Sequence, residues 1–189
     1  MRFDVDDFVE QCRAALDESE PQLAVRDVVA RAVSQPAAIK AALGTPNGWK
    51  TEPLHIDDRF TVLHFIWPPT LELFPHEHKM WSTVGIYGGI EDNTLYRRDG
   101  DRVVVSGHRR GEAGDVLLLG ADAIHSVENP SRQWTAAIHV YGSDFFAHPR
   151  LQWDLKTGEP QPFSLANSKA LLAATEAHFR SEASGGPGV

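Results

Sequence analysis

Apolar side chains recur at three- and four-residue steps along the first 45 residues, then crowd into short runs from about Trp49 to Phe146. In the first stretch Phe3, Phe8, Val9, Cys12 and Leu16 form a stripe of helical period, with Asp4 as a cap before it and Ser19-Glu20-Pro21 breaking it. A second helix is expected from Pro21 to Val33, opened by its proline, and a third from Pro36 to Leu43, closed by Gly44. The runs that follow, FTVLHFIW, WSTVGIYGG, NTLYRR, RVVVSG, DVLLLG, HSVEN and WTAAIHVYG, are strand-like. Between them stand Pro68-Pro69, Gly88-Gly89, Asp99-Gly100-Asp101, Gly111, Gly114 and Asn129-Pro130. Short strands at regular spacing without intervening helices predict an antiparallel sandwich or barrel. A Pro-rich connection leads to a helical stretch from Leu165 to Phe179, and the closing SGGPGV is expected to be disordered. The pattern predicts one mainly β domain: a helical segment over 1–45, a barrel over 46–147, and an extension with a helix and tail over 148–189.

Composition narrows the partners. A chain of 189 residues with 42% hydrophobic content can bury one sizeable core. Eighteen Lys and Arg against 26 Asp and Glu leave a net charge of −8, which argues against nucleic acid or an anionic membrane as partner. The single Cys12 has no intramolecular partner, MRFDVDDFVE lacks the basic start and apolar run of a signal peptide, and no apolar run reaches membrane-spanning length. The expected setting is reducing and cytoplasmic. Nine histidines in an acidic chain then raise the question of metal.

The sharpest signal is PHEHKMW. On a strand, His76 and His78 share a face and Glu77 takes the other, so both imidazoles can reach one ion; a helix would send them apart. His125 follows 47 residues after His78, beyond a turn that begins at Gly114-Asp115. These segments resemble the two motifs of the cupin superfamily. His76, His78 and Gly89 match the first; Gly114, Asp115, His125 and Asn129 match the second. The resemblance implies a double-stranded β-helix, or jelly-roll barrel, with His76, His78 and His125 as metal ligands.

Where most enzymatic cupins add a glutamate ligand, this chain has Ser82 and Thr83. A three-histidine site without carboxylate is similar to that of the thiol dioxygenases, the cysteine and 3-mercaptopropionate dioxygenase group. Ala137-Ile138-His139-Val140-Tyr141 stands where that group has Ser-x-His-x-Tyr, so the resemblance implies that His139 positions Tyr141 for catalysis, with Ala137 lacking the relay hydroxyl. The group's substrate-binding arginine, by ungapped counting from His76, falls on Lys50, which offers charge without a planar fork. Trp81 is a second candidate at the substrate. The implied function is an Fe(II)-dependent dioxygenase that uses O2 to convert a small thiol into a sulfinic acid, acting as a monomer or homodimer. Another divalent first-row metal could occupy the same imidazoles. Cleavage of a diketone or enediol, and a non-catalytic metal- or small-molecule-binding barrel, remain open alternatives. Phe65, Trp49 and Trp67 are expected in the core, and His55, His64, His108, His148 and His178 at surface or packing positions.

Overall fold

The expected helices form where their caps and stripes place them in the structure, a computed structural model that describes residues 2–184. Helix α1 spans Val5–Ala15, and the Asp4 carboxylate accepts the backbone N–H of Asp6 and Asp7 at its start. Helices α2 (Pro21–Val33) and α3 (Pro36–Leu43) each begin on proline, and α3 ends at Gly44 with φ of 92°.

Eleven strands follow: β1 (Lys50–Ile56), β2 (Thr61–Trp67), β3 (Glu72–Glu77), β4 (Ser82–Gly88), β5 (Ile90–Asp99), β6 (Arg102–Glu112), β7 (Val116–Leu119), β8 (Ile124–Glu128), β9 (Thr135–Tyr141), β10 (Leu151–Trp153) and β11 (Pro160–Pro162). They make two antiparallel sheets, β1-β2-β9-β4-β7 and β11-β10-β3-β8-β5-β6. From β2 to β9 the chain crosses between the sheets after every strand except at the β5–β6 hairpin, which is jelly-roll connectivity. The fold is therefore mainly β, a double-stranded β-helix with helices at both ends. Three strands lie outside the expected runs: β1, which pairs with β2, and β10 and β11, which extend the second sheet past residue 147.

Both faces of the first sheet are covered, which explains why β2, β4 and β9 are buried along their whole length. On its outer face Phe8, Val9, Cys12, Val25, Val29, Val33 and Ile39 pack over Phe60, Val62, Tyr87, Ile138 and Val140. Gly85 makes this contact possible, because a Cβ there would lie 2.3 Å from a Val29 methyl on α2. Its inner face contributes Leu63, Phe65, Trp67 and Tyr141 to the core between the sheets, shared with Leu73, Phe74 and Val127. Helix α4 (Leu165–Ser184) runs five residues past its expected end and inserts Leu172 into that core. Of the tail, Ser184 closes α4, and Gly185 to Val189 lie outside the described residues.

Candidate metal centre

His76 is the penultimate residue of β3 and pairs directly with His125 of β8, so strand register alone sets two imidazoles side by side on the inner face. His78 follows one residue after β3 ends, still on that face, before the chain turns at Lys79 with φ of 62°. The intervening Glu77 points away. It pairs with Lys79 at 2.9 Å and Arg98 at 2.7 Å, and accepts the Leu151 N–H that brings β10 to the sheet.

The three imidazoles converge on their Nε2 atoms. His78 Nε2 lies 3.2 Å from His76 Nε2 and 3.2 Å from His125 Nε2. Nitrogens bound at about 2.0–2.2 Å to one ion, at octahedral or tetrahedral angles, stand roughly 2.8–3.6 Å apart. The opposite ring nitrogens are engaged. His76 Nδ1–H donates to the Phe74 carbonyl at 3.0 Å and His125 Nδ1–H to Asn93 Oδ1 at 2.6 Å, which leaves both Nε2 lone pairs bare. Burial pushes His76 down to about 4 and holds His78 and His125 well below the ordinary imidazole value, so all three are neutral near pH 7. Bare lone pairs of neutral rings crowded together repel one another unless a cation lies between them. Among the described residues no carboxylate joins the cluster. Ser82 places its hydroxyl 3.4 Å from His78 Nδ1 instead. The donor set fits a divalent metal with three imidazoles on one side and open positions on the other.

Beside the histidines is a small, mainly apolar chamber of about 30 Å³, bounded by Phe65, Trp67, Tyr141, Phe163, Leu165 and Leu172. His139 Nδ1 lies 3.0 Å from the Tyr141 hydroxyl, and the Tyr141 ring stands edge-on to His78 with centroids 5.0 Å apart. Burial keeps the phenol protonated and pushes His139 down to about 3. Phe65 and Trp67 fill the core and also wall the chamber.

Neither Lys50 nor Trp81 lines the chamber. Strand alternation turns Thr51 toward the chamber and Lys50 outward, where its ammonium pairs with Glu52 at 3.1 Å. Trp81 packs against the helical core and Gly142, where an added Cβ would lie 2.1 Å from the indole. Tyr87 faces the helices and bonds His64 Nε2 at 2.6 Å; His64 is fully buried, a packing position. Asn129 clamps its own loop, donating to the Pro68 and Gln133 carbonyls.

Two charged residues that sequence reasoning passed over approach the centre. Arg150 is 8% exposed, sandwiched 4.1 Å above both the Phe145 and Phe163 rings, and donates to the Phe145 carbonyl at 2.6 Å. Its Nε has no partner, and among the described residues no carboxylate pairs with it. It lines an outer basin that shares Phe163 and Leu165 with the chamber, and its charge helps depress His76 and His78 after burial. Glu91, on the inner face of β5, is fully buried, and burial raises its carboxyl above the usual range.

No protein-family profile matches the sequence. Among solved structures the chain is similar to a double-stranded β-helix protein from Klebsiella pneumoniae, at 14% identity over 53% of this chain and 76% of that one, with a TM-score of 0.42. An RmlC-like cupin from Methanocaldococcus jannaschii aligns at 12% identity over 53% of this chain and 84% of that one, TM-score 0.44. Oxalate decarboxylase from Bacillus subtilis aligns at 16% identity over 55% of this chain and 27% of that one, TM-score 0.43.

Proposed function

We propose that this chain is a cupin-type, Fe(II)-dependent thiol dioxygenase acting on a small thiol that also carries an anionic group. The observation that carries the reading is the convergence of three neutral imidazoles with no carboxylate among them. A ferrous ion, when bound, would offer open positions to a thiolate and dioxygen and a path for electrons from sulfur to oxygen. His76, His78 and His125 hold it as neutral donors without offsetting its charge, which favours an anionic thiolate beside it. Arg150 supports the anionic group: a buried guanidinium without a carboxylate partner, at the junction of chamber and basin, is set to meet one from the substrate. Tyr141, protonated and held by His139, presents a hydroxyl to the reacting atoms. Phe65, Trp67 and Leu172 exclude water. One thiol and one O2 give one sulfinic acid, both oxygens passing to sulfur, so no other reductant is consumed.

The test is to load the protein anaerobically with Fe(II), admit oxygen with a panel of thiols, and follow oxygen uptake together with sulfinate by mass spectrometry. The expected result is uptake matched one to one by sulfinate, fastest with carboxylated thiols. No uptake with any thiol overturns the reading; uptake with diketones or enediols alone would transfer it to carbon oxidation.

A further inference from the structure

Behind the three histidines lies a buried hydrogen-bond chain centred on one carboxyl group. Asn93 Nδ2 donates to Glu91 Oε1 at 3.0 Å, and Trp67 Nε1 donates to Glu91 Oε2 at 2.8 Å. Asn93 Oδ1 in turn accepts His125 Nδ1–H at 2.6 Å. On its other side Glu91 Oε2 lies 3.9 Å from His139 Nε2, a buried nitrogen with no hydrogen-bond partner. Glu91 and Asn93 reach these places because alternate residues of β5 face inward, opposite the strand that carries His139.

Both oxygens of Glu91 accept N–H bonds, which favours the ionised form against burial, and a carboxylate accepts and never donates, so it orients the amide beside it. Asn93 must turn its NH2 toward Glu91, which leaves its carbonyl for His125. A carbonyl there fixes the proton on His125 Nδ1 and the lone pair on Nε2, the form a metal needs. At the second contact the charge of Glu91 draws the His139 proton to Nε2, and Nδ1 is left to accept the Tyr141 O–H. This carboxyl group thereby supplies from the opposite sheet what Ala137 cannot supply from β9.

We propose that Glu91 is the positioning residue of the centre, setting the ring tautomer of His125 through Asn93 and that of His139 by direct attraction. The proposal deepens the metal-centre reading and rests on it for the role of His125. Glu91→Gln keeps the shape but gives Trp67 and Asn93 one acceptor between them, so Asn93 can flip, donate to His125 Nδ1 and leave the ring's own proton on Nε2. Glu91→Gln with Asn93→Asp restores the chain to His125: the new amide accepts from Trp67 and donates to the new carboxylate, which accepts His125 Nδ1–H.

The experiment measures Co(II) affinity by chelator competition, with the histidine tautomers of the metal-free protein read by long-range nitrogen NMR. Glu91→Gln should weaken Co(II) binding by about 10–100-fold and move the His125 proton toward Nε2, while the double variant recovers most of the affinity. A merely structural role would lower the melting temperature of both variants and give no recovery. Unchanged affinity in Glu91→Gln, or a double variant no better than the single, overturns the proposal. Wild-type protein that binds no Co(II) overturns the metal-centre reading instead, and the NMR tautomers of metal-free Glu91→Gln still decide the role of Glu91.

Discussion

Arg150 keeps a full charge between two aromatic faces, so its guanidinium depends on carbonyls and ring quadrupoles rather than on a carboxylate. A substrate carboxylate arriving there would complete its hydrogen bonds, and charge-assisted bonds of that kind are worth about 1.5–3 kcal/mol. Arg150→Gln is therefore expected to raise KM for a carboxylated thiol by about 10–100-fold and to leave a neutral thiol within a few-fold, a contrast that steady-state oxygen uptake with the two substrates measures. His76, His78 and His125 were legible in the sequence because period-two alternation and motif spacing are local. Arg150 and Glu91 were not. Arg150 lies in an irregular loop after β9, and Glu91 becomes a neighbour of His139 only when the two sheets close on each other. Lys50 stands outside the chamber because one step along β1 exchanges Thr51 inside for Lys50 outside, a parity that ungapped counting does not read.

At the level of elements, the joint between α2 and β4 depends on a missing side chain. Gly85→Ala would drive a methyl into Val29 and Val33, and overpacking of this kind costs about 1–3 kcal/mol. Gly120→Ala, a position with open space around its Cα, is the control and should leave the unfolding midpoint nearly unchanged. Thermal or urea unfolding followed by circular dichroism compares the two. The helices themselves were readable from Asp4, Pro21, Pro36 and Gly44, since caps and helix-starting prolines act within a few residues. Strands β10 and β11 were not, because three-residue strands carry no periodicity. β10 docks where Glu77 accepts the Leu151 N–H and Gln152 pairs with His76, and β11 pairs in turn with β10.

For the whole molecule, five buried histidines are kept neutral: His64, His76, His78, His125 and His139. Each has a folded value below its unfolded one near 6.5, so the unfolded chain takes up protons first as pH falls. Stability of the metal-free protein is thus complete above about pH 7 and declines as pH drops from about 6.5 toward 4, by up to about 1.4 kcal/mol per pH unit for each histidine. His76 regains its proton in the fold at about 4 and His139 at about 3, where their contributions level off. Urea titrations across pH 4–7.5 should show this decline, and saturating Zn(II) at pH 7 should raise the midpoint by mass action. A flat profile would contradict the burial of neutral rings. Cys12, fully buried with its thiol pushed up to about 12, should resist thiol reagents until the fold opens.

The chamber beside the histidines has room for about two water molecules, less than any three-carbon thiol. Its outer wall is Phe163, Leu165 and Leu172, contributed by the last stretch of chain. Exchange at the centre is then expected to follow how often that stretch lets go, which would make its pace a property of local stability rather than of the ligands. Leu172→Ala should quicken chelator extraction of bound metal and amide hydrogen exchange in α4 by the same factor, about tenfold or more, coupling a rate at the heart of the barrel to the fraying of its end.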